Sequence, residues 1–308
     1  MAEAALRELI EMLMSEKEDV RLGAHLTLAQ LSGTSEGALL VGQCSSIMNL
    51  VIGSLVTISP EDSSQLLPTV LTLLTNIAVT PAGAKAVLSH LKTMLPSVLK
   101  LITEPKSRHA DRACALLVNI THQKEHCQAV LQCVQETSSS ALHTLLLAAT
   151  NTSYNTADNS LDLLMSVFEN ISQLPEGRKA LLDRKSVMIQ RLLPFTQYMA
   201  STSRRRSAVA TLHNCCFQKV DLCATSTSRE RLRKLNIYLV LRELHKWETN
   251  EPCLTLLEDL VNILIRTEEE IGVDDLSSME IPEDLRKKFE DLNKQNEDDP
   301  IPAPSKSE

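Results

Sequence analysis

Residues 66–88 read LLPTVLTLLTNIAVTPAGAKAVL. A leucine-rich run ends at Asn76, a short break follows, and residues 83–88 open a second apolar run. Apolar residues three and four positions apart are typical of an amphipathic helix. The stretch therefore predicts a helix that ends near Asn76, a turn, and the start of another helix.

The same pattern recurs at Asn119, Asn170 and Asn214, so that successive asparagines are 43, 51 and 44 residues apart. An earlier copy, with Gln30 in place of the asparagine, precedes Asn76 by 46 residues. Armadillo and HEAT units repeat about every 40 to 47 residues. Because one such unit cannot bury its apolar face alone, neighbours must stack. The repeats predict an all-α, armadillo/HEAT-like α-solenoid superhelix.

Composition agrees with stacked helices. The 308 residues are 43% hydrophobic but only 3% aromatic, so the core must use Leu, Ile, Val, Ala and Met. Sheets draw more on aromatic and β-branched residues. The 8 glycines form no phosphate-cradling loop, which argues against the common nucleotide-binding folds. We predict a protein that is not an enzyme and has no cofactor.

The start of the chain carries acidic residues throughout its apolar pattern and resembles no secretory signal. Residues 37–60 lack charge but are interrupted by polar side chains and glycine, so a membrane span is not expected there. Eight cysteines are scattered through apolar patterns, as expected for reduced thiols packed as small hydrophobes. These features predict a cytoplasmic protein that binds no membrane.

Charge divides the chain into three parts. Residues 1–177 have 10 basic and 17 acidic side chains, residues 178–246 have 15 and 4, and residues 247–308 have 6 and 18. The basic middle is either a surface for an acidic partner or an ordinary solvated face, partly neutralised by the acidic end of the chain. We predict a repeat domain over residues 1–266 and an acidic, largely flexible tail with a short helix over residues 267–308.

The recurrent asparagine has two possible roles. Its amide can clamp the backbone of a bound peptide, as in armadillo proteins, or it can tie the helix end to a neighbouring loop. The second role is favoured, because side-chain to backbone bonding is the usual fate of Asn. The predicted partner-binding residues are Asn76, Asn119, Asn170 and Asn214, together with Arg204, Arg205 and Arg206, whose guanidiniums could bind carboxylates or phosphates in bidentate fashion.

The repeat period is predicted to break near residues 215–230. A string typical of the end of one unit and the start of another, Leu222–Leu232, begins only about 10 residues after Asn214. Either two helix ends have fused around Lys219 and Val220, or the chain is a form that lacks part of the solenoid.

Three strings resemble the eukaryotic Hgh-one family. They are VMIQRLLPFTQY (187–198), RRR (204–206) through TLHNCCF (211–217), and YLVLREL (238–244) followed by HKWE (245–248). The resemblance covers nearly the whole chain and is weak before about residue 60. Two departures are a missing acidic segment near Lys219 and Val220, and His213 in place of an expected Arg.

The resemblance implies an armadillo-like, monomeric chaperone or adaptor of the cytosol. It implies as partners newly made translation elongation factor two and the chaperonin TRiC. Two alternatives remain. One is a transport-type adaptor that grips peptides through the asparagines, which predicts aromatic residues between them, although Trp is absent from residues 1–246. The other is a nucleic-acid binder that uses the basic middle.

The sequence gives little support for a metal site or a redox-active pair of cysteines. His122 and His126 are four residues apart and Cys127 and Cys133 follow, but no paired cysteine spacing completes a zinc site, so no metal is predicted. The adjacent Cys215 and Cys216 are better explained by core packing than by redox chemistry. Trp247 is expected to anchor the end of the solenoid.

Overall fold

The computed structural model describes residues 2–182, 187–217, 225–234, 236–274 and 276. Within them the regular structure is helical, with no β-strand. The first unit holds α1 (Ala2–Leu13) and α2 (Glu18–Leu31), and the second holds α3 (Ser35–Gln43), α4 (Ser45–Thr57) and α5 (Leu66–Ile77). The third holds α6 (Pro81–Leu88), α7 (Leu91–Thr103) and α8 (Ala110–Thr121), and the fourth holds α9 (Lys124–Thr137), α10 (Ala141–Ala149) and α11 (Leu164–Ser172).

The fifth and sixth units complete the repeat domain. The fifth holds α12 (Pro175–Leu181), α13 (Met188–Leu192), a 3₁₀ helix (Leu193–Gln197) and α14 (Thr202–Phe217). The sixth holds α15 (Ser226–Lys234), α16 (Ile237–His245) and α17 (Glu251–Ile265), and α18 (Glu268–Ile271) follows.

The last helix of each unit, here called the third helix, packs on the third helix of the next unit. The series is α2, α5, α8, α11, α14 and α17, each in contact with its successor. In the same way α3 packs on α6 and α6 on α9, while α4 packs on α7 and α7 on α10. This stacking of equivalent helices confirms the predicted all-α solenoid. We call the solvent-facing side of the third helices the ladder face.

One aliphatic cluster runs from Leu13 to Leu264 through the stacked units. Among the described residues, Phe168 and Phe195 are the only buried aromatic side chains. The core therefore consists of the residue types that the composition predicts. Burial of apolar area contributes about 25 cal/mol per Å², and in a solenoid that gain is divided among successive unit interfaces.

Capping hydroxyls and prolines fix where several helices begin. The Thr34 and Thr80 hydroxyls cap α3 and α6 by accepting from the backbone N–H of Gly37 and Gly83. Pro81 and Pro175 occupy first helical turns, where the missing N–H costs little. Pro96 lies inside α7. The packing of α7 against α4, α8 and α10 retains the helix there.

The predicted break in the period lies outside the described residues at Lys219 and Val220, and it stays a prediction. On either side, α17 packs directly on α14, and α15 and α16 complete a unit with α17. Residues 267–274, at the start of the predicted tail, contact α15. The backbone N–H of Ser226 donates to the Asp274 carbonyl at 2.9 Å. Residues 277–308, including the predicted short helix, also lie outside the described residues.

Among the described helices, none is both long and apolar enough by itself to cross a bilayer. The pair α3 and α4 passes that test together, with a bend of 89° between the two helices. On α4, five apolar side chains face the protein core: Ile47, Met48, Val51, Ile52 and Leu55.

Candidate functional site

The four predicted asparagines lie on successive third helices, and each amide nitrogen donates to the preceding third helix. The contacts are Asn76 Nδ2 to Ser32 Oγ at 3.2 Å, Asn119 Nδ2 to the Thr75 carbonyl at 3.1 Å, Asn170 Nδ2 to Thr121 Oγ1 at 3.0 Å, and Asn214 Nδ2 to Ser172 Oγ at 2.9 Å. Each bond spans two units. The asparagines therefore form a ladder that joins neighbouring units, which is closer to the structural role than to a free peptide clamp.

The accepting hydroxyls are fixed by their own helices. Ser32 Oγ donates to the Ala29 carbonyl at 2.8 Å, and Ser172 Oγ donates to the Glu169 carbonyl at 2.6 Å. A hydroxyl has one proton and two lone pairs. Because that proton is already used, the hydroxyl accepts from the asparagine, which fixes the direction of the amide. Peptide binding by the ladder stays a prediction.

Asn262 on α17 is a further ladder position that the sequence predictions omit. It follows Asn214 by 48 residues, a normal period, and it is exposed. The string Val261-Asn262-Ile263 repeats Val118-Asn119-Ile120. This match could have identified Asn262, but the expected break near residue 220 obscured the spacing.

The three predicted arginines have different surroundings. Arg204 is buried, with Nε at 2.9 Å from Asp162 Oδ1, and its Nη2 donates to the Ser160 carbonyl. Arg206 is about half exposed, and its Nη2 lies 3.5 Å from Glu169 Oε1. Only Arg206 of the three is positioned on the surface, where a partner could reach it.

Arg205 forms the bidentate contact expected of these arginines, but with a carboxylate of the same chain. Its Nη2 donates to Glu248 Oε1 at 3.1 Å and its Nε donates to Oε2. Both side chains are buried. Burial raises the pKa of Glu248, but hydrogen bonds from Arg205 and from the backbone N–H groups of Asn250 and Thr249 outweigh burial and hold the pKa below its ordinary value.

The strings that carry the family resemblance meet in one cluster. The Arg204 guanidinium carbon lies 5.5 Å from the ring centroids of both Phe195 and Tyr198. The Arg205 guanidinium carbon lies 5.4 Å from the Trp247 ring. A cation over an aromatic face is favourable. The Arg204 contacts therefore stabilise the fifth unit, and the contact between Arg205 and Trp247 joins the fifth unit to the sixth. Trp247 is a packing residue, as expected.

Part of the basic middle is neutralised inside the protein. Arg229 is fully buried, with Nε at 3.1 and 3.0 Å from the two carboxylate oxygens of Glu268. Arg233 also pairs with Glu268. Hydrogen bonds from Arg229 and then Arg233, against the opposing effect of burial, lower the pKa of Glu268. Glu268 and Glu248, the partners of Arg229, Arg233 and Arg205, lie in the acidic end of the chain, whereas Arg204 and Arg206 pair with Asp162 and Glu169 of the fourth unit.

The metal site and the reactive cysteines considered from the sequence find no support in the described part of the chain. No three His, Cys, Asp or Glu side chains converge there in a way that could hold a metal ion. Cys127 and Cys133 are both buried, and burial raises the pKa of Cys127 to about 12. Cys215 is buried as well, while the Cys216 side chain lies outside the described residues. Buried thiols with raised pKa values are poor nucleophiles.

Stacked three-helix units joined by an asparagine ladder define an armadillo-type α-solenoid. Two designed armadillo repeat proteins have this fold. One has a TM-score of 0.63 at 15% identity, covering 83% of this chain and 98% of the designed one. The other, in complex with the peptide (KR)4, has a TM-score of 0.64 at 14% identity, with the same coverage.

Sequence comparison gives the family. Residues 101–301 match the model described as Domain of unknown function (DUF383). Protein HGH1 homolog of Xenopus tropicalis is 30% identical over 94% of this chain and 96% of its own length. The Xenopus laevis and human proteins of the same name are 29% and 26% identical, over 96% and 90% of this chain and 98% and 86% of their own lengths. The chain belongs to this family of HGH1 homologues.

The relatives contain residues that this chain lacks, since the alignment with the Xenopus laevis protein extends over 357 positions and the chain has 308 residues. Family and fold together support a repeat-protein adaptor, a class that is typically non-catalytic.

Proposed function

We propose that this chain is a cytoplasmic chaperone or adaptor that holds a partly folded client, translation elongation factor two, and helps to deliver it to the TRiC chaperonin. The observation that carries the proposal is the match to the HGH1 homologues over more than nine-tenths of both chains. The ladder face, which runs from α2 to α17, supplies an extended surface for a client.

The two alternatives receive less support. A transport-type adaptor needs ladder amides that bind peptide, but four of them use an N–H in a hydrogen bond to the neighbouring unit. A nucleic-acid binder needs solvent-facing cations. Arg204, Arg205 and Arg229 are not available for this because they are buried and paired with carboxylates, which leaves exposed cations such as Lys179, Arg191 and Arg231. Such a binder would also lose affinity steeply with salt.

The proposal is tested by pull-down from a eukaryotic lysate with the full chain as bait. We expect enrichment of elongation factor two and of chaperonin subunits. A designed armadillo repeat protein of the same fold serves as the control bait and should recover neither. If a folded bait recovers neither protein beyond this control, the proposed function is contradicted.

A further inference from the structure

Among the described helices, α15 has the highest density of positive charge. Its nine residues include four cations, Arg229, Arg231, Arg233 and Lys234, and one acid, Glu230. Arg229 and Arg233 are four residues apart, and like charges at that spacing destabilise a helix. The helix therefore needs an anionic partner from another part of the chain or from another molecule.

In this structure the partner is an acidic segment of the same chain, residues 267–274. The Glu268 carboxylate oxygens accept from Arg229 Nε at 3.1 and 3.0 Å. Arg229 Nη2 also donates to the main-chain carbonyl oxygens of Val273 and Asp274, at 2.9 and 3.2 Å. A carboxylate and backbone carbonyl oxygens are acceptors that any acidic polypeptide offers. The contact is thus a bound example of the polypeptide chemistry that α15 recognises.

Polar contacts, and not apolar packing, hold the acidic segment on α15. None of its residues is buried, and the side chains of Glu268 and Arg233 are each 26% exposed. Ion pairs that are open to water are screened by salt and contribute little stability. Departure of the acidic segment from α15 would therefore expose no buried apolar side chain of that segment.

Two cations of α15 are not used by the acidic segment. Arg231 is exposed and has no ion pair with any described residue. Lys234 Nζ lies 3.8 Å from Glu230 Oε2 in the same helix, and both side chains are mostly exposed. Such a surface pair is worth little. A second polypeptide with more carboxylates could therefore pair with more of α15 than the acidic segment does.

We propose that α15 is a docking site for an acidic segment of a partner protein, and that residues 267–274 occupy this site until the partner displaces them. The inference goes beyond the proposed function and does not depend on the identity of the client. A polypeptide is favoured over a nucleic acid, because the bound pattern is a carboxylate followed five and six residues later by main-chain carbonyl oxygens. A segment of the same chain is a strong competitor, since a short linker gives it a millimolar effective concentration.

The test uses a fluorescein-labelled peptide with the sequence of residues 266–276, RTEEEIGVDDL, and fluorescence anisotropy with the full chain. Glu268→Gln should raise the affinity for this peptide at least tenfold over the wild type, because the site is then open in a larger fraction of molecules. A peptide with glutamine in place of its first glutamate should bind that variant at least fivefold more weakly. Glu269→Gln removes an exposed carboxylate from the same helical turn and, as the matched control, should bind like the wild type.

Asp274→Lys is a second variant that leaves Glu268 beside Arg229. Asp274 is exposed, and a cation at this position would be repelled by α15. We expect at least fivefold tighter peptide binding than for its control, Glu269→Lys. Thermal unfolding checks that each variant is folded. Equal affinities of the folded variants and their controls would overturn the docking site, as would tighter binding of a labelled oligouridylate than of the peptide to Glu268→Gln.

Discussion

At the scale of single residues, the ladder asparagines stabilise the solenoid through bonds between units. The Asn214 amide bonds Ser172 Oγ at 2.9 Å and the Glu169 carbonyl at 3.4 Å. The sequence places asparagine at a regular period, and the hydroxyl two residues later is also visible in it. Only the stacking of the third helices shows that a ladder asparagine bonds such a hydroxyl about 44 positions earlier in the chain.

Ser172→Ala should lower the free energy of unfolding by about 1 kcal/mol, because the partly buried Asn214 amide loses its nearer acceptor. Urea unfolding followed by circular dichroism measures this change. Thr27→Ala is the control, since the exposed Thr27 hydroxyl bonds only the Gly23 carbonyl in its own helix. That control should change stability by less than about 0.5 kcal/mol. Equal effects of the two substitutions would show that the ladder bond contributes no measurable stability.

At the scale of helices, a glycine lets one unit turn closely into the next. Gly83 lies in the first turn of α6, and a Cβ there would lie 1.8 Å from the Ile77 carbonyl oxygen at the end of α5. Gly53 lies inside α4, where an added Cβ would meet no atom within 4 Å. The structure therefore has no room for a side chain at Gly83 but has room for one at Gly53.

Gly83→Ala should cost about 1 to 3 kcal/mol, because the methyl group forces α6 away from α5. Gly53→Ala should stabilise the protein by up to about 1 kcal/mol, since alanine is the better helix former. Thermal unfolding of both variants beside the wild type measures the difference. A Gly83→Ala protein as stable as the Gly53→Ala protein would contradict the close approach of α6 to α5.

At the scale of the whole molecule, charges that are far apart in sequence hold the end of the solenoid together. Arg205 and Glu248 join the last two units, and Arg229 and Arg233 join α15 to Glu268 on α18. Glu248 and Glu268 each have a pKa below the ordinary glutamate value in the folded protein. A lowered folded-state pKa contributes stability above the unfolded-state pKa, and this stability is lost as the pH falls through the folded-state pKa. We expect the free energy of unfolding to decrease on acidification below about pH 4.5, near the unfolded-state pKa of glutamate.

Glu248→Gln should destabilise the protein by about 3 kcal/mol at pH 7, since Arg205 is left buried with a neutral partner. Its free energy of unfolding should also fall less between pH 5 and pH 3 than that of the wild type. Urea unfolding at pH 7, 5 and 3 measures both effects. The control Glu243→Gln removes a carboxylate that pairs with Arg242 and Lys246 on the surface and should stay near wild-type stability at pH 7. Parallel pH profiles for wild type and Glu248→Gln would contradict the role of this pair.

The helical class, the repeat length and the aliphatic core could be predicted from the sequence, because helical spacing and unit period are properties of residues close together in the chain. The spacing also identifies four ladder asparagines but not Asn262. The burial of Arg204 and Arg205 and the exposure of Arg206 follow from the stacking of the helices. A helix of consecutive arginines directs them to different sides, and their partners, Asp162 and Glu248, lie about 42 residues away in opposite directions along the chain. Burial and pairing of charge depend on which helices stack, and that contact is not a local property of the sequence.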